Sequence, residues 1–169
     1  MAVRLPVFTR RARRRLTLHP KFYFFDVGVF RAVRPRGPLD LPEEIDGSAL
    51  ETLVFQELRA INAALGLGYD LYYWRTSNGQ EVDFVLYGES GLIALEVKRS
   101  SRPRKQDARG LKAFLSDYPA ARAYILYRGR EKLFVDSITC LPVDEALRSL
   151  PALLSRELPG DQKSSQRER

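Results

Sequence analysis

Three strand-like segments follow one another closely in the middle of the chain, and they restrict the fold more than any other feature of the sequence. The first, 71–76, is rich in aromatic residues, and the next two, 81–87 and 92–98, are rich in apolar and β-branched residues. Asn78-Gly79 and the segment 88–91 supply tight turns between them. Because such short turns join antiparallel neighbours, the segment predicts consecutive hairpin strands of one sheet.

Helical patterns flank these strands. Ser48 and Glu51 form a capping-box pattern that predicts the start of a helix over 48–65, and Gly66 ends it. The remaining predicted elements are a helix over 106–118, a buried strand over 122–128, a short strand over 132–135 and a helix over 142–154. The resulting order, α-β-β-β-α-β with room for a further strand, predicts an α/β fold built on a mixed sheet.

The length of 169 residues fits one domain. Residues 1–20 form a basic N-terminal segment, 21–154 the domain, and 155–169 a polar tail expected to be disordered. Within the domain, 22–33 predicts a short strand followed by a brief helix, and 34–47 predicts a proline-rich loop.

Composition excludes several classes of protein. One Cys and one His cannot build a zinc site from several such ligands, and a lone Cys cannot close an internal disulfide. No apolar run reaches the roughly 18–20 residues that span a bilayer, so no membrane partner is expected. These features predict a cytoplasmic protein whose metal, if it binds one, is a hard cation held by carboxylates.

Positive charge is concentrated at the N-terminus. The net charge is +7, and residues 1–21 hold seven Lys and Arg but no acid, so the rest of the chain is formally neutral. One interpretation is contact with nucleic-acid phosphates, and the other is a solvated run or a strip that faces an acidic partner. The residues predicted to contact nucleic acid are Arg11, Arg13, Arg14, Arg15, Arg99, Arg102, Arg104 and Lys105.

Carboxylates occur on segments that should be buried. Strand alternation places Glu81 and Asp83 on one face of 81–87, and Glu96 and Lys98 on one face of 92–98, with the last two Cα atoms about 6.6 Å apart. Acids are depleted from strands, so their presence here points to a function. Glu51 and Glu57 lie on or beside the apolar stripe of the helix over 48–65. The alternative is that these acids are solvated or paired with arginines.

Asp83 and Glu96 on adjacent strands can converge on one Mg²⁺ or Mn²⁺ ion, together with the Val97 backbone carbonyl and water. Glu51 is predicted to bind through a water or to complete a second metal position. Lys98 is then placed to orient a water or to neutralise a phosphorus-centred transition state, which fits hydrolysis of a phosphodiester. Residues expected to orient the ligands are Glu57, Glu81 and Arg75.

The order α-β-β-β-α-β with Asp83 followed by Glu96-Val97-Lys98 resembles the restriction-endonuclease-like, or PD-(D/E)XK, nuclease superfamily, although Val82 stands where that name has proline. Six motifs resemble the domain of unknown function at the C-terminus of many bacterial and archaeal AAA+ family ATPases. They are Lys21-Phe22-Tyr23-Phe24-Phe25-Asp26-Val27-Gly28, Leu50-Glu51 with Val54-Phe55-Gln56-Glu57-Leu58, Tyr73-Trp74-Arg75, Glu81-Val82-Asp83-Phe84-Val85, Leu95-Glu96-Val97-Lys98 and Gly110-Leu111-Lys112-Ala113-Phe114.

The resemblance implies a restriction-endonuclease-like core in which Glu51, Asp83, Glu96 and Lys98 occupy the catalytic positions. It also implies relatives with an N-terminal P-loop ATPase module, and residues 1–20 as a remnant of a winged-helix-like join to it. This chain has no G-x-x-x-x-G-K-[ST] motif, so no ATP binding of that kind is expected. The predicted function is Mg²⁺- or Mn²⁺-dependent hydrolysis of DNA. The alternative is a catalytically silent DNA-binding, interaction or regulatory module with an ATPase partner or as a homo-oligomer.

Overall fold

The computed structural model describes residues 2–33 and 42–155. Its strands are β1 (Ala2–Leu5), β2 (Lys21–Phe24), β3 (Asp70–Arg75), β4 (Glu81–Gly88), β5 (Gly91–Lys98), β6 (Arg122–Tyr127), β7 (Leu133–Val135) and β8 (Ile138–Pro142). Its helices are α1 (Val27–Val33), α2 (Pro42–Ala64), α3 (Arg109–Asp117), α4 (Val143–Arg148) and α5 (Leu150–Leu154), and a 3₁₀ turn (Lys105–Ala108) precedes α3.

Six strands form one mixed sheet in the order β3-β4-β5-β6-β8-β7, and β1 and β2 form a separate antiparallel pair. The strand β4 is antiparallel to both β3 and β5, whereas β6 runs parallel to both β5 and β8, and β7 is antiparallel to β8. The chain therefore has the order α2-β3-β4-β5-α3-β6. The predicted α/β class with a mixed sheet is confirmed.

Two apolar cores cover the two faces of the six-stranded sheet. One core contains Leu58, Phe84 and Leu126 and is closed by α2, α4 and α5. The other contains Phe114 and Ile125 and is closed by α3. The aromatic run of β3 contributes to both cores, since Tyr73 belongs to the first and Trp74 to the second.

The N-terminal basic segment lies against the outer edge of β3. The Phe8 N–H donates to the Tyr73 carbonyl at 2.7 Å, and the Tyr73 N–H donates to the Pro6 carbonyl at 3.0 Å. Further along, the Ser77 N–H donates to the Arg15 carbonyl at 2.9 Å. The segment thus pairs the backbone groups of an edge strand that would otherwise face solvent.

The helix α2 begins earlier than predicted. The loop prediction is wrong for residues 42–47, which are helical from Pro42, and residues 34–41 lie outside the described ranges. Proline is compatible with the first turn of a helix because the N–H that it lacks has no partner there. Ser48 lies inside the helix and its carbonyl accepts the Thr52 hydroxyl at 2.7 Å, so the predicted capping box is also wrong. Leu65, the last apolar residue of the helix predicted over 48–65, is exposed.

The C-terminal part of the sheet also differs from the prediction. Residues 138–142 form β8, which pairs in parallel with β6 and buries Ile138 and Cys140. The helix predicted over 142–154 is two short helices, α4 and α5, which are separated at Ser149. A disordered tail was predicted over 155–169, and residues 156–169 lie outside the described ranges.

Candidate functional site

The site lies where β4 and β5 stop pairing. Their paired residues run from Gly88 and Gly91 to Phe84 and Leu95. The next step of this register would place Asp83 opposite Glu96, but the Asp83 carboxylate accepts the Val97 N–H at 2.9 Å instead. The Asp83 side chain therefore takes the place of a backbone hydrogen-bond acceptor, and a gap opens between β4 and β5 beyond Phe84 and Leu95.

An irregularity in β4 directs Asp83 toward this gap. Tyr72 pairs with Val85, whereas Trp74 pairs with Val82, so β4 has one extra residue across from Tyr73. Such β-bulges re-aim a side chain and locally end pairing. Here the bulge contains Asp83, at the end of the paired region.

The bulge changes which residues of β4 share a face. Val82 and Val85 both pack in the core under α3, while Phe84 and Leu86 pack in the opposite core. The strict alternation assumed for 81–87 would place Val82, Phe84 and Leu86 on one face, and it is therefore wrong for Val82. Simple period-two reasoning cannot detect the extra residue.

Asp83 is buried, with 6% of its surface exposed, and it lies close to two ammonium groups. Its Oδ1 is 3.5 Å from the Lys21 Nζ, and Lys98 also acts on it electrostatically. Burial raises the pKa of Asp83, while Lys21, the Val97 N–H and Lys98 act in the opposite direction. Desolvation outweighs these favourable contacts, so the carboxylate is short of positive charge.

Glu96 has one satisfied oxygen and one unsatisfied oxygen. Its Oε1 is 2.6 Å from the Lys98 Nζ, whereas its Oε2 is buried and makes no hydrogen bond within the described part of the chain. Burial raises the pKa of Glu96 well above its ordinary value, and the nearby Asp83 raises it further. Buried carboxylate oxygens are normally paired, so an orphan oxygen indicates a missing partner.

Glu51 reaches the cluster from α2. The Tyr23 hydroxyl donates to the Glu51 Oε2 at 3.1 Å. Burial and then the charge of Asp83 raise the pKa of Glu51 to about 7. Burial beside Glu51 also raises the pKa of the Tyr23 phenol, which therefore stays protonated and able to donate this hydrogen bond.

Glu81 carries its own ion pairs at the edge of the cluster. The Lys21 ammonium contacts the Glu81 Oε1, and the Arg75 Nε lies 3.4 Å from the Glu81 Oε2. Lys21 was not singled out as a site residue from the sequence, although it begins one of the motifs that resemble the ATPase-associated domain. Apart from that motif, the sequence gives no specific signal for Lys21, because a lysine at the start of a strand is ordinary.

Not every residue predicted for the site joins it. Glu57 is half-buried on α2, and among the described residues no hydrogen bond or ion pair links it to the cluster. In the N-terminal segment, the Arg14 guanidinium binds Asp117 at 2.9 Å and Ser116 at 2.7 Å. The other predicted nucleic-acid contacts have exposed side chains, and they are Arg11, Arg13, Arg15, Arg99, Arg102, Arg104 and Lys105.

The donor set suits a hard cation with several water ligands. Within residues 2–33 and 42–155, no three side chains of His, Cys, Asp or Glu come together tightly enough to hold a metal ion. Asp83 and Glu96 instead supply two carboxylates, and the orphan Glu96 Oε2 has the chemistry of a cation ligand. The N–H and C=O of a strand residue point to the same side, so the Val97 carbonyl, like its N–H, is directed toward the gap. Mg²⁺ usually keeps several waters, and these donors fit it.

Comparison with known proteins places the chain in a family. Residues 46–146 match the model of a family described as "Domain of unknown function (DUF4143)", and the chain belongs to that family. The prediction that the chain contains a domain of unknown function is thereby confirmed.

Two curated relatives were found, both uncharacterised proteins: Rv2008c of Mycobacterium tuberculosis and Mb2031c of Mycobacterium bovis. Each is 29% identical over 132 residues, which cover 76% of this chain and 28% of the relative. The chain therefore spans little more than a quarter of the length of these relatives. No solved structure matches the chain.

Across residues 2–33 and 42–155, every helix is too short or too polar to cross a bilayer.

Proposed function

We propose that the gap between β4 and β5 is the active site of a Mg²⁺- or Mn²⁺-dependent nuclease that hydrolyses phosphodiester bonds of DNA. One observation carries the proposal: Glu96 is buried with one oxygen unpaired and the other 2.6 Å from the Lys98 ammonium, directly beside the buried Asp83. Leaving carboxylates so poorly compensated costs stability, and a divalent cation with an anionic substrate would offset that cost. The proposal includes a restriction-endonuclease-like core in a cytoplasmic protein.

A bound divalent ion would supply Lewis acidity and lower the pKa of a coordinated water. Asp83 and Glu96, with the Val97 carbonyl, would hold it, and Glu51 would contact it through a water. Lys98 would orient the attacking water and stabilise the negative charge that develops on the phosphate. Glu81 and Arg75 keep Lys21 and Asp83 in place through their ion pairs.

Basic side chains around the site are consistent with a DNA substrate. Arg102, Arg104 and Lys105 follow the end of β5, where Lys98 lies, and all three are exposed. Exposed Arg and Lys side chains bind phosphates in a salt-dependent manner, whereas an uncompensated acidic cluster would repel DNA.

A second candidate function is that of a catalytically silent DNA-binding or regulatory module in an ATPase system. One observation favours it: Lys21 and Lys98 already form ion pairs with Glu81 and Glu96, which balance part of the negative charge without a metal. The resemblance to the C-terminal domain of AAA+ ATPases, and the much greater length of the mycobacterial relatives, suit a module that works with an ATPase partner or as a homo-oligomer.

A cleavage assay tests the proposal. Wild-type protein with Mg²⁺ or Mn²⁺ should cleave linear or circular DNA, and Asp83→Asn or Lys98→Met should lower the rate by about 100-fold or more, in line with the loss of one charge-stabilising group. Lys112→Met is the matched control, because Lys112 is also an ion-paired lysine but contacts Asp136 on the surface. Cleavage by Lys98→Met at the wild-type rate would contradict the proposal. DNA binding without cleavage by the wild type would favour the silent module.

A further inference from the structure

Lys21 is a cation already present in the acidic cluster. Its ammonium contacts the Glu81 carboxylate, lies 3.5 Å from the Asp83 Oδ1 and stands 5.2 Å from the centre of the Tyr73 ring. Its side chain is 24% exposed, so most of it is shielded from solvent. Glu51 also acts on it electrostatically from α2.

The two lysines of the site serve different carboxylates. Lys98 pairs with Glu96, and strand alternation places Glu96 on the same face of β5 as Ala94, which packs in the core under α3. Lys21 pairs with Glu81 and Asp83 and rests on Tyr73, a residue of the opposite core. Asp83, at the bulge between them, interacts with both.

A count of charges shows how much depends on Lys21. Four carboxylates meet at the site, and they are Glu51, Glu81, Asp83 and Glu96. Two ammonium groups and the half-exposed Arg75 guanidinium oppose them. Without Lys21, Glu51 and Glu81 would face only Arg75, and Asp83 would keep only the weaker attraction of Lys98. Such a set, partly buried and uncompensated, attracts a hard cation.

We propose that Lys21 is a positioning residue that occupies the second cation position of this site, so that the site takes one divalent ion and not two. Its ammonium holds the Asp83 Oδ1, while the Val97 N–H holds the other oxygen of the same carboxylate. This inference rests on the proposed function, because it takes the single divalent ion to be the catalytic one. The charge on Lys21 makes it the resident cation of Glu51, Glu81 and Asp83.

Titration with Mn²⁺ by calorimetry tests this role. Wild type, Lys21→Arg and the control Lys112→Met should each bind one ion, because each keeps a positive charge beside Asp83. Lys21→Met should bind two ions, and Lys21→Met combined with Glu81→Gln should return to one. A wild-type stoichiometry and affinity for Lys21→Met would overturn the inference.

The outcome separates this inference from the proposed function. If wild type binds no Mn²⁺ but Lys21→Met binds one ion, the metal-dependent proposal fails and the role of Lys21 stands. If both bind one ion with the same affinity, the role of Lys21 fails and the nuclease proposal stands. Should Lys21→Met be unfolded in EDTA, refolding by Mn²⁺ supports the inference, and failure to refold with Mn²⁺ overturns it.

Discussion

At the scale of single residues, the burial of Glu51 links stability to pH. Its pKa is about 7 in the folded protein, against 4.5 as the ordinary value. Between these two values the folded state binds more protons than the unfolded state. The free energy of unfolding therefore falls as the pH rises through this window.

Removing the Glu51 carboxyl group should make the free energy of unfolding less dependent on pH. Between pH 5 and pH 8 in EDTA, wild type should lose about 2 kcal/mol more stability than Glu51→Gln, because a raised acid pKa penalises ionisation in the folded state. Urea unfolding at several pH values measures the difference. Glu89→Gln, an exposed residue in the turn at the other end of the β4–β5 hairpin, is the control. Equal slopes for wild type and Glu51→Gln would contradict the expectation.

The residues of the site differ in how well the sequence predicts them. Asp83, Glu96 and Lys98 stand out because acids and a lysine on apolar strands are unusual, and the structure brings them to one gap. Lys21 does not stand out, since a lysine at the start of a strand is ordinary. Lys21 forms its ion pairs in the site only because β2 lies beside the end of β4. That tertiary contact is not encoded by any local sequence pattern.

At the scale of elements, the N-terminal segment is part of the folded domain. Phe8 is 1% exposed, and its ring packs against Tyr72 at 5.4 Å and Tyr118 at 5.3 Å between ring centres. Leu5 and Val7 of the same segment are buried in the other core. Deleting residues 1–20 would therefore damage the core and could not isolate the effect of the arginines.

Phe8→Ala should lower the free energy of unfolding by about 3 kcal/mol, which is typical of a large buried ring replaced by a methyl group. Leu18→Ala is the matched control in the same segment, because Leu18 is 71% exposed, and its effect should be close to zero. Denaturant unfolding of both variants gives the comparison. A loss in Phe8→Ala as small as that of Leu18→Ala would show that the segment is not packed on the sheet.

Two helical glycines should respond to alanine in opposite directions. A methyl group on Gly110 would overlap the Glu81 carbonyl, so Gly110→Ala forces α3 away from β4 and should cost about 2 kcal/mol or more. Gly47 lies inside α2 with no neighbouring atom within 4 Å of the added carbon, so Gly47→Ala should stabilise by about 0.5–1 kcal/mol. Thermal or urea unfolding measures both changes. A Gly110→Ala variant as stable as wild type would contradict the packing described for α3.

The elements were predicted where local signals were strong. Asn78-Gly79 and the turn over 88–91 located β3, β4 and β5 because turn residues separate apolar segments there. The start of α2 was missed because prolines and glycines around Pro42 predict a loop, although proline is also compatible with the first turn of a helix. The strand β8 was missed because it is short and ends at Pro142, and its pairing with β6 is a long-range contact.

At the scale of the whole molecule, the charge is asymmetric. The net charge of +7 resides in the first 21 residues. Arg14 forms an ion pair with Asp117, whereas Arg11, Arg13 and Arg15 form none with the acidic side chains of residues 2–33 and 42–155. If this surface contacts DNA, replacing Arg11, Arg13 and Arg15 with Gln should weaken binding and reduce the salt dependence of the affinity. Arg148→Gln, which removes an exposed partner of Asp144, is the control. An unchanged salt dependence after the triple replacement would remove this segment from the DNA-binding surface.

The central claim concerns a cation between two strands of this sheet. Anomalous diffraction from a crystal soaked in Mn²⁺ tests it most directly. We expect one anomalous peak at about 2.0–2.3 Å from carboxylate oxygens of both Asp83 and Glu96, on the side of the Val97 carbonyl. A crystal in which Mn²⁺ produces no peak between β4 and β5, with the Glu96 Oε2 still unpaired, would contradict the account.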